Sequence, residues 1–247
     1  MKFIALLFAA LLSIQVYAGC ENMVPFGKPV VTSDEKVTYL CRRMYVLEHS
    51  PSRHTAYWSA EHLIGKQQTM SGKRINAFKA DPDLPKDEAA KPSDYTNSGY
   101  DRGHMSPVGD MYVDKKAMLE SFYMSNMAPQ VPGNNENGWR LLEMFVKELS
   151  QARGDLYVIT GPIYVNSKIK TIGKGKVAVP THFYKIIVDT NTNAVMSFIV
   201  PNIPFEQKDI PKYIASISEI KRLTDINFFP TPNKLVESTR VWTSKSN

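Results

Sequence analysis

Apolar and polar residues alternate over several short segments, and this pattern predicts β-strands. Segments 37–46 and 56–64 mix aromatic, branched and polar residues, and the apolar run 156–160 ends at a Gly-Pro pair. Segments 182–188 and 194–200 flank five turn-forming residues, so we predict a β-hairpin there. Together these segments indicate an antiparallel sheet.

Helical periodicity is found in two places. Apolar residues between 139 and 149 recur on one helix face, and Gly154 follows where such a helix would end. A last helix is predicted over 211–223, and Pro230 and Pro232 are expected to end the ordered part. The expected fold class is therefore α+β, with an antiparallel sheet.

The first eighteen residues have the features of a secretory signal peptide. Lys2 provides a positive start, 3–14 is an apolar run, and 16–18 ends in a small residue suited to cleavage. The apolar run is too short for a transmembrane helix, and the alternative is a buried N-terminal strand or helix. We predict a signal peptide over 1–18 and one domain over 19–247, with no stable membrane span. The sequence does not indicate an oligomeric state.

The chain has two cysteines, Cys20 and Cys41. An exported protein meets an oxidising compartment, where a lone pair of cysteines usually forms a disulfide, so we predict that bond and a periplasmic or secreted location. A lipid anchor on Cys20 is the alternative, because this cysteine lies just after the expected cleavage point. Tyr17, three residues before it, stands where lipoprotein signals usually carry a branched aliphatic residue.

Composition and charge add only modest information. The sequence is 43% hydrophobic, which is enough for a full core. It has 30 basic and 24 acidic residues, and removal of Lys2 with the signal leaves a formal charge of +5. A basic surface favours polyanions such as nucleic acid, acidic glycans or anionic lipid, but an excess of this size is weak evidence.

Residues suited to phosphodiester hydrolysis are concentrated between 100 and 143, directly after a polar segment, 79–99, that is predicted to be a long surface loop. His104 can act as a general base, because imidazole titrates near neutral pH. Arg102 can hold phosphate oxygens through its planar guanidinium. Asn135 and Glu143 offer oxygen ligands that suit a hard cation such as Mg²⁺, either directly or through water.

The motif residues are Asp101, Arg102, Gly103, His104, Ser125, Asn126, Pro129, Gln130, Asn135, Trp139 and Glu143. At these spacings the chain resembles the DNA/RNA non-specific endonuclease family, whose members have the ββα-metal fold. The likeness extends over most of the chain after the signal, through segments 78–82, 157–162 and 227–230. It implies a central antiparallel sheet flanked by helices, and DNA and RNA as substrates.

The resemblance also implies a role for each matched residue. His104 would be the general base, and Asn135 the one direct protein ligand of Mg²⁺, which Mn²⁺ could replace. Glu143 would anchor a water on the ion, Arg102 would stabilise the pentavalent phosphate, and Asn126 would steady the site as part of the catalytic set. Products would carry 5′-phosphates.

The chain departs from the family pattern at two positions. Gly109 stands where the family often has alanine, and the expected arginine before Phe78 falls on Ile75. Arg74, one residue earlier, is therefore the candidate for a second phosphate-binding arginine.

Other interpretations of the same residues remain open. Asp101 and Arg102 could form a plain surface ion pair, and Asn134 or Asn135 could cap the following helix. A second function, binding nucleic acid or another polyanion without cleavage, and a third, cleavage of a small nucleotide or lipid phosphodiester, also fit the fold. A His104→Ala variant and chelation of metal would separate them.

Overall fold

The computed structural model describes residues 20–65, 74–165, 167–231 and 234–243. The strands are β1 (Val30–Val31), β2 (Thr38–Cys41), β3 (Val46–Ser50), β4 (Thr55–Leu63), β5 (Asp101–His104), β6 (Met127–Gln130), β7 (Leu156–Ile163), β8 (Thr171–Ile172), β9 (Val177–Ala178), β10 (His182–Asp189), β11 (Ala194–Pro201), β12 (Ile226–Asn227) and β13 (Val236–Glu237). The α-helices are α1 (Lys115–Ser121), α2 (Arg140–Arg153) and α3 (Ile217–Thr224).

A seven-stranded sheet forms the centre of the fold, in the order β13-β11-β10-β7-β4-β3-β2. Every neighbouring pair is antiparallel except β11 with β13, which is parallel. The long central strands alternate their side chains between two faces, and each face is covered by its own apolar cluster. The expected antiparallel sheet is confirmed.

One helix packs on each face of the sheet. The face of α2 that was predicted from periodicity is buried, since Leu142, Val146 and Leu149 join the core on one side. Ile220 of α3 lies in the cluster on the other side. The sheet is thus flanked by helices, as the resemblance implied.

The strands β5 and β6 form a small antiparallel pair that leads into α2. In this pair Asp101 lies opposite Gln130 and His104 opposite Met127. A π-helical turn, Asn134–Trp139, connects β6 to α2. This β–β–α unit lies on the α2 side of the large sheet, where Ser59 of β4 bonds the hydroxyl of Ser106 at 2.8 Å.

The predicted disulfide is confirmed. It joins Cys20 to Cys41 at the end of β2, with the two Cα atoms 6.1 Å apart. A bond that closes a loop with a sequence separation of 21 stabilises the fold by about 3 kcal/mol in the chain-entropy model.

The predicted strand segments are confirmed. The hairpin forms as β10 and β11, 56–64 corresponds to β4, and 156–160 is the first part of β7. The predicted segment 37–46 contains β2 and the first residue of β3, and the chain turns between them, where the Arg42 amide donates to the Tyr45 carbonyl at 2.8 Å. Burial of the Arg42 guanidinium against Asp81 holds that turn in place.

The helix over 139–149 is confirmed, but a single helix over 211–223 is wrong. A 3₁₀ helix, Gln207–Tyr213, contains Pro211, and α3 begins anew after Ser216, whose hydroxyl accepts from the Glu219 amide. The backbone leaves helical geometry at Ile214, with a ψ of 131°, and this separates the two helices. The expectation that Pro230 ends the ordered part is also wrong, because β13 follows and pairs with β11.

The segment 79–99 forms the predicted long surface loop, with one 3₁₀ turn, Pro92–Tyr95, and most of its residues exposed or half-buried. Several of its side chains, including Asp81, Ala90, Asp94 and Tyr95, are buried against the rest of the protein. The predicted signal peptide, 1–18, lies outside the described residues. Within the described ranges no helix is long and apolar enough to cross a membrane.

Candidate active site

The predicted site residues meet in one cleft of about 610 Å³ between the β5–β6 pair and α2. Its lining includes Arg74, Arg102, His104, Asn135 and Glu143. The side chains come from a loop, a strand, a π-turn and a helix, so the fold brings together residues that lie up to 69 positions apart in the chain. Of the predicted set, only Asn126 does not line the cleft.

His104 lies at the end of β5 and is held between two aromatic rings. The centroids of Phe78 and Phe122 are 5.9 and 5.3 Å from the imidazole, and the residue is only 8% exposed. Its Nε2 atom is buried and has no hydrogen-bond partner among the described residues. A buried polar atom without a partner is costly, so this atom is suited to a group that enters the cleft.

Burial changes the acid–base character of this histidine. Loss of water around the ring, with a smaller effect from the positive charge of Arg74, lowers the pKa of His104 to about 3. This shift lies away from the near-neutral titration that the sequence analysis assumed. Its imidazole is neutral at physiological pH and keeps a lone pair, as a general base must.

Arg102 is stacked rather than ion-paired. Its guanidinium lies 5.1 Å from the Phe78 ring centroid and 5.8 Å from that of Tyr95, and Nη2 donates to the Pro92 carbonyl at 2.9 Å. The surface ion pair with Asp101 is not formed, and Nε of Arg102 has no partner among the described residues. The arginine is thus oriented by its neighbours and keeps a donor for an anion.

The two adjacent asparagines have different surroundings. Asn134 is fully buried, where its side chain accepts from Gln130 at 2.7 Å and donates to the Pro201 carbonyl at 2.7 Å. Asn135 lines the cleft, and its Nδ2 donates to Asp101 Oδ2 at 3.0 Å. That bond orients the amide and leaves Oδ1 of Asn135 without a hydrogen-bond partner in the described part of the chain. Asn134 is structural, and Asn135 presents an oxygen suited to a cation.

Asn126 acts from behind the cleft. It is fully buried, accepts from the Ser106 amide at 3.0 Å and donates to the carbonyls of Ser106 and Ser121 at 2.9 and 3.0 Å. These bonds fix the segment that follows His104. Asn126 is therefore a positioning residue, and its grouping with residues that touch substrate is wrong. Its place does fit the expectation that it steadies the site.

Arg74 lies at the mouth of the cleft. Its guanidinium is 5.6 Å from the Phe122 ring centroid, and its Nε donates to Asn76 Oδ1 at 2.7 Å. The side chain shares the cleft with Arg102, so two guanidinium groups border the same space. This arrangement suits an anion with several oxygens, such as a phosphodiester.

Comparison with known proteins agrees with this geometry. Residues 23–235 match the profile of the family described as DNA/RNA non-specific endonuclease. The chain belongs to this family. Its membership makes the protein an endonuclease, a phosphodiester hydrolase, and confirms the ββα-metal α+β fold class.

Individual members of the DNA/RNA non-specific endonuclease family are similar over most of the chain. Nuclease C1 of Cunninghamella echinulata var. echinulata is 35% identical over 225 residues, which cover 85% of this chain and 88% of the relative. The mitochondrial nuclease EXOG of Danio rerio is 36% identical over 77% of this chain, which spans only 60% of that relative. A chain in the crystal structure of the EndoG/EndoGI complex is 30% identical with a TM-score of 0.79, and the match covers 88% of this endonuclease and 94% of that chain.

A set of buried titratable residues at the cleft floor of this endonuclease was not predicted from the sequence. Glu61 of β4, Lys185 of β10 and Asp110 are buried and interact electrostatically with Glu143 on α2. Lys185 donates to Thr160 at 2.7 Å. A signal was available at Lys185, which lies between the apolar Phe183 and Ile187 on one face of β10.

Burial shifts the pKa values of these groups towards their neutral forms. It raises the pKa of Glu143 to about 7 and that of Asp110 to about 6, while Lys185 opposes both shifts. It raises the pKa of Glu61 and lowers that of Lys185. Within the described residues, no group of three or more His, Cys, Asp or Glu side chains is arranged to hold a metal ion. The cleft lining includes the Asn135 amide together with the carboxyl groups of Asp110 and Glu143.

Proposed function

We propose that this endonuclease is exported and hydrolyses DNA and RNA with little sequence specificity, using His104 as general base and a divalent cation, Mg²⁺ or Mn²⁺, bound at Asn135. The observation that carries the proposal is the pair of unpartnered atoms in one cleft. Nε2 of His104 and Oδ1 of Asn135 both lack a hydrogen-bond partner among the described residues, and both residues line the same space.

The cleft residues suit the steps of phosphodiester hydrolysis. The neutral imidazole of His104 would accept a proton from the attacking water. The guanidinium groups of Arg102 and Arg74 would donate to the phosphate oxygens and stabilise the negative charge that develops there. Glu143 would accept hydrogen bonds from waters at the cleft floor and so orient them.

The residues around Asn135 fit a hard divalent cation. Such cations prefer oxygen ligands, and Mg²⁺ often keeps several waters and takes few protein ligands. Bound there, the cation would supply positive charge to the phosphate and acidify water near the leaving oxygen. Asp101 would keep Oδ1 of Asn135 turned towards the cation, because Asp101 Oδ2 accepts from Nδ2 of the same amide at 3.0 Å.

Low sequence specificity is supported by the kind of groups in the cleft. The candidate contacts are two arginines, an amide, a carboxylate and an imidazole, all of which suit phosphate, water or a cation. Phosphate contacts position a nucleic acid without reading its sequence.

Cleavage assays with matched variants test this proposal. Supercoiled plasmid and RNA would be incubated with the protein in Mg²⁺, in Mn²⁺ and in chelator, and both should be degraded only with metal. His104→Ala should lower kcat by roughly 10²–10⁴-fold, the range for loss of a general base. The control His62→Ala, at a residue on β4 outside the cleft lining, should cut normally.

The metal assignment needs its own pair of variants. Asn135→Ala should require far more Mg²⁺ for half-maximal activity, whereas Asn137→Ala, at an exposed position in the same π-turn, should not. Intact plasmid and RNA under every condition would instead favour a non-cleaving polyanion-binding protein. Cleavage of small phosphodiesters alone would favour an enzyme that acts on small nucleotides or lipid head groups.

Export is proposed from the N-terminal pattern and the disulfide. The sulfur of Cys20 is bonded to Cys41, so the same thiol is not available to a lipid, and a free periplasmic or secreted protein is favoured over the anchored form. Purified from the periplasm or medium, the protein should begin at Gly19. Both cysteines should react with an alkylating reagent only after reduction, and a lipid-bearing N-terminus would contradict this.

A further inference from the structure

A hairpin rich in lysine lies next to the cleft. Residues 168–178, here called the lysine hairpin, include the strands β8 and β9 and four lysines, Lys168, Lys170, Lys174 and Lys176. All four are exposed, and none of them forms an ion pair with a carboxylate in the described part of the chain. The hairpin is therefore a concentrated, unneutralised positive surface.

The lysine hairpin and the cleft share a wall. Tyr100, directly before the motif, lines the cleft on one side and a smaller pocket of about 190 Å³ on the other. Lys170 lines that smaller pocket, and its Nζ donates to the Tyr100 hydroxyl at 3.1 Å. A polymer leaving the cleft across Tyr100 would thus reach the lysine hairpin directly.

The hairpin is also fixed rigidly to the residues that orient Arg102. The Gly175 amide donates to Asp94 Oδ1 at 2.8 Å, and Asp94 belongs to the 3₁₀ turn whose Pro92 carbonyl accepts from Arg102. Gly173, with a φ of +67°, packs so closely that a Cβ there would be 2.4 Å from the Asp94 Cα. The same 3₁₀ turn therefore supports both the phosphate-binding arginine and the hairpin.

Asp94 does not neutralise the lysines. The side chain is buried, and its two oxygens accept from the backbone amides of Gly175 and Lys91, at 2.8 Å each. On the inner side, Ile172 and Val177 of the hairpin pack with Tyr95 in one apolar cluster. The lysines thus extend outwards from a packed hairpin, and the hairpin backbone loses little conformational entropy on binding.

We propose that the lysine hairpin binds the sugar–phosphate backbone of the substrate strand where it leaves the cleft, as a second phosphate-binding surface beyond the two cleft arginines. This inference rests on the proposed nuclease function and extends it. The hairpin would add affinity for long polynucleotides without reading bases, since exposed ammonium groups bind phosphates irrespective of sequence.

The test measures binding separately from cleavage. The affinity for a labelled single-stranded oligonucleotide would be measured in chelator over a series of salt concentrations, for the wild type and for Lys168→Ala/Lys174→Ala. Each lost phosphate contact on a single strand reduces the slope of log affinity against log salt by about 0.7, so the slope should become shallower by about 1.4.

A matched control removes the same charge elsewhere. Lys221→Ala/Arg222→Ala changes two exposed residues of α3, which packs on the opposite face of the sheet, and should leave the slope unchanged. An unchanged slope in the hairpin variant would overturn the proposal. An equal decrease in both variants would overturn it too, because net charge alone would then explain the effect.

Kinetics separate this inference from the nuclease proposal. With the hairpin variant, kcat/KM on long polynucleotides should fall while kcat/KM on a dinucleotide stays at the wild-type value. If the wild type binds through the hairpin but cuts nothing, only the proposed function fails. If it cuts normally and the hairpin variant binds and cuts like it, only the hairpin proposal fails.

Discussion

The burial of His104 leads to a prediction about the pH dependence of stability, and this prediction does not depend on catalysis. The pKa of His104 is about 3 in the folded protein and near 6.5 in an unfolded chain. Between these values the unfolded chain binds a proton that the folded chain does not. The free energy of unfolding therefore falls as the pH decreases through that window, and this loss is complete only near pH 3.

The size of the effect follows from the two pKa values. Between pH 7 and pH 5, His104 alone should cost the wild type about 2 kcal/mol of unfolding free energy. His104→Gln removes the titrating group but keeps a polar side chain, so its stability should fall by about 2 kcal/mol less over the same interval. His49, whose pKa burial lowers to about 4, is present in both proteins and cancels.

Urea denaturation at pH 7 and pH 5, at constant ionic strength, measures both differences. The comparison uses the change with pH within each protein, so any loss of stability from the substitution itself does not matter. If both proteins lose the same stability on acidification, His104 is not buried as a neutral imidazole, and the assignment of its unpartnered Nε2 to substrate water loses its basis.

Three other variants test the site and its support. Arg102→Lys keeps the charge but loses the stacked planar fork, so kcat/KM on DNA should fall at least about tenfold in steady-state assays, and an unchanged value would show that charge alone suffices. Asn126→Ala leaves buried backbone groups without partners and should lower both the free energy of unfolding, by about 2–4 kcal/mol in urea titrations, and kcat. Replacing Cys20 and Cys41 by serine should cost about 3 kcal/mol in the same titrations, while an equally stable variant would mean that the disulfide constrains little.

The sequence predicted the parts of the fold that depend on local pattern. The hairpin β10–β11 and the helix α2 follow from periodicity and turn residues, and both are present with ends within a few residues of the predicted ones. The break between the 3₁₀ helix and α3 was signalled by Ser216, which the periodicity of the flanking apolar residues outweighed. The turn at Arg42 was not readable, because its cause is Asp81, about forty residues away.

The sequence predicts which residues form the site, but it does not predict how their surroundings shift their pKa values. Motif spacing identified His104 and Asn135, and the fold brings them to one cleft. The shift of the His104 pKa could not be foreseen, because it depends on Phe78 and Phe122, which pack around the ring from segments on either side in the chain. Tertiary burial decides that pKa, and no local sequence pattern encodes it.

The buried groups beside the cleft affect the protonation of Glu143. Three carboxyl groups, those of Glu61, Asp110 and Glu143, interact with the ammonium of Lys185, which also lies 4.9 Å from the Trp139 ring centroid. Burial raises the pKa of Glu143 to about 7, and the charge of Lys185 opposes that shift. Substituting Lys185 by methionine should therefore raise the pKa of Glu143 further and leave less carboxylate at the cleft near neutral pH, although Lys185 lies on β10 and not in the cleft lining.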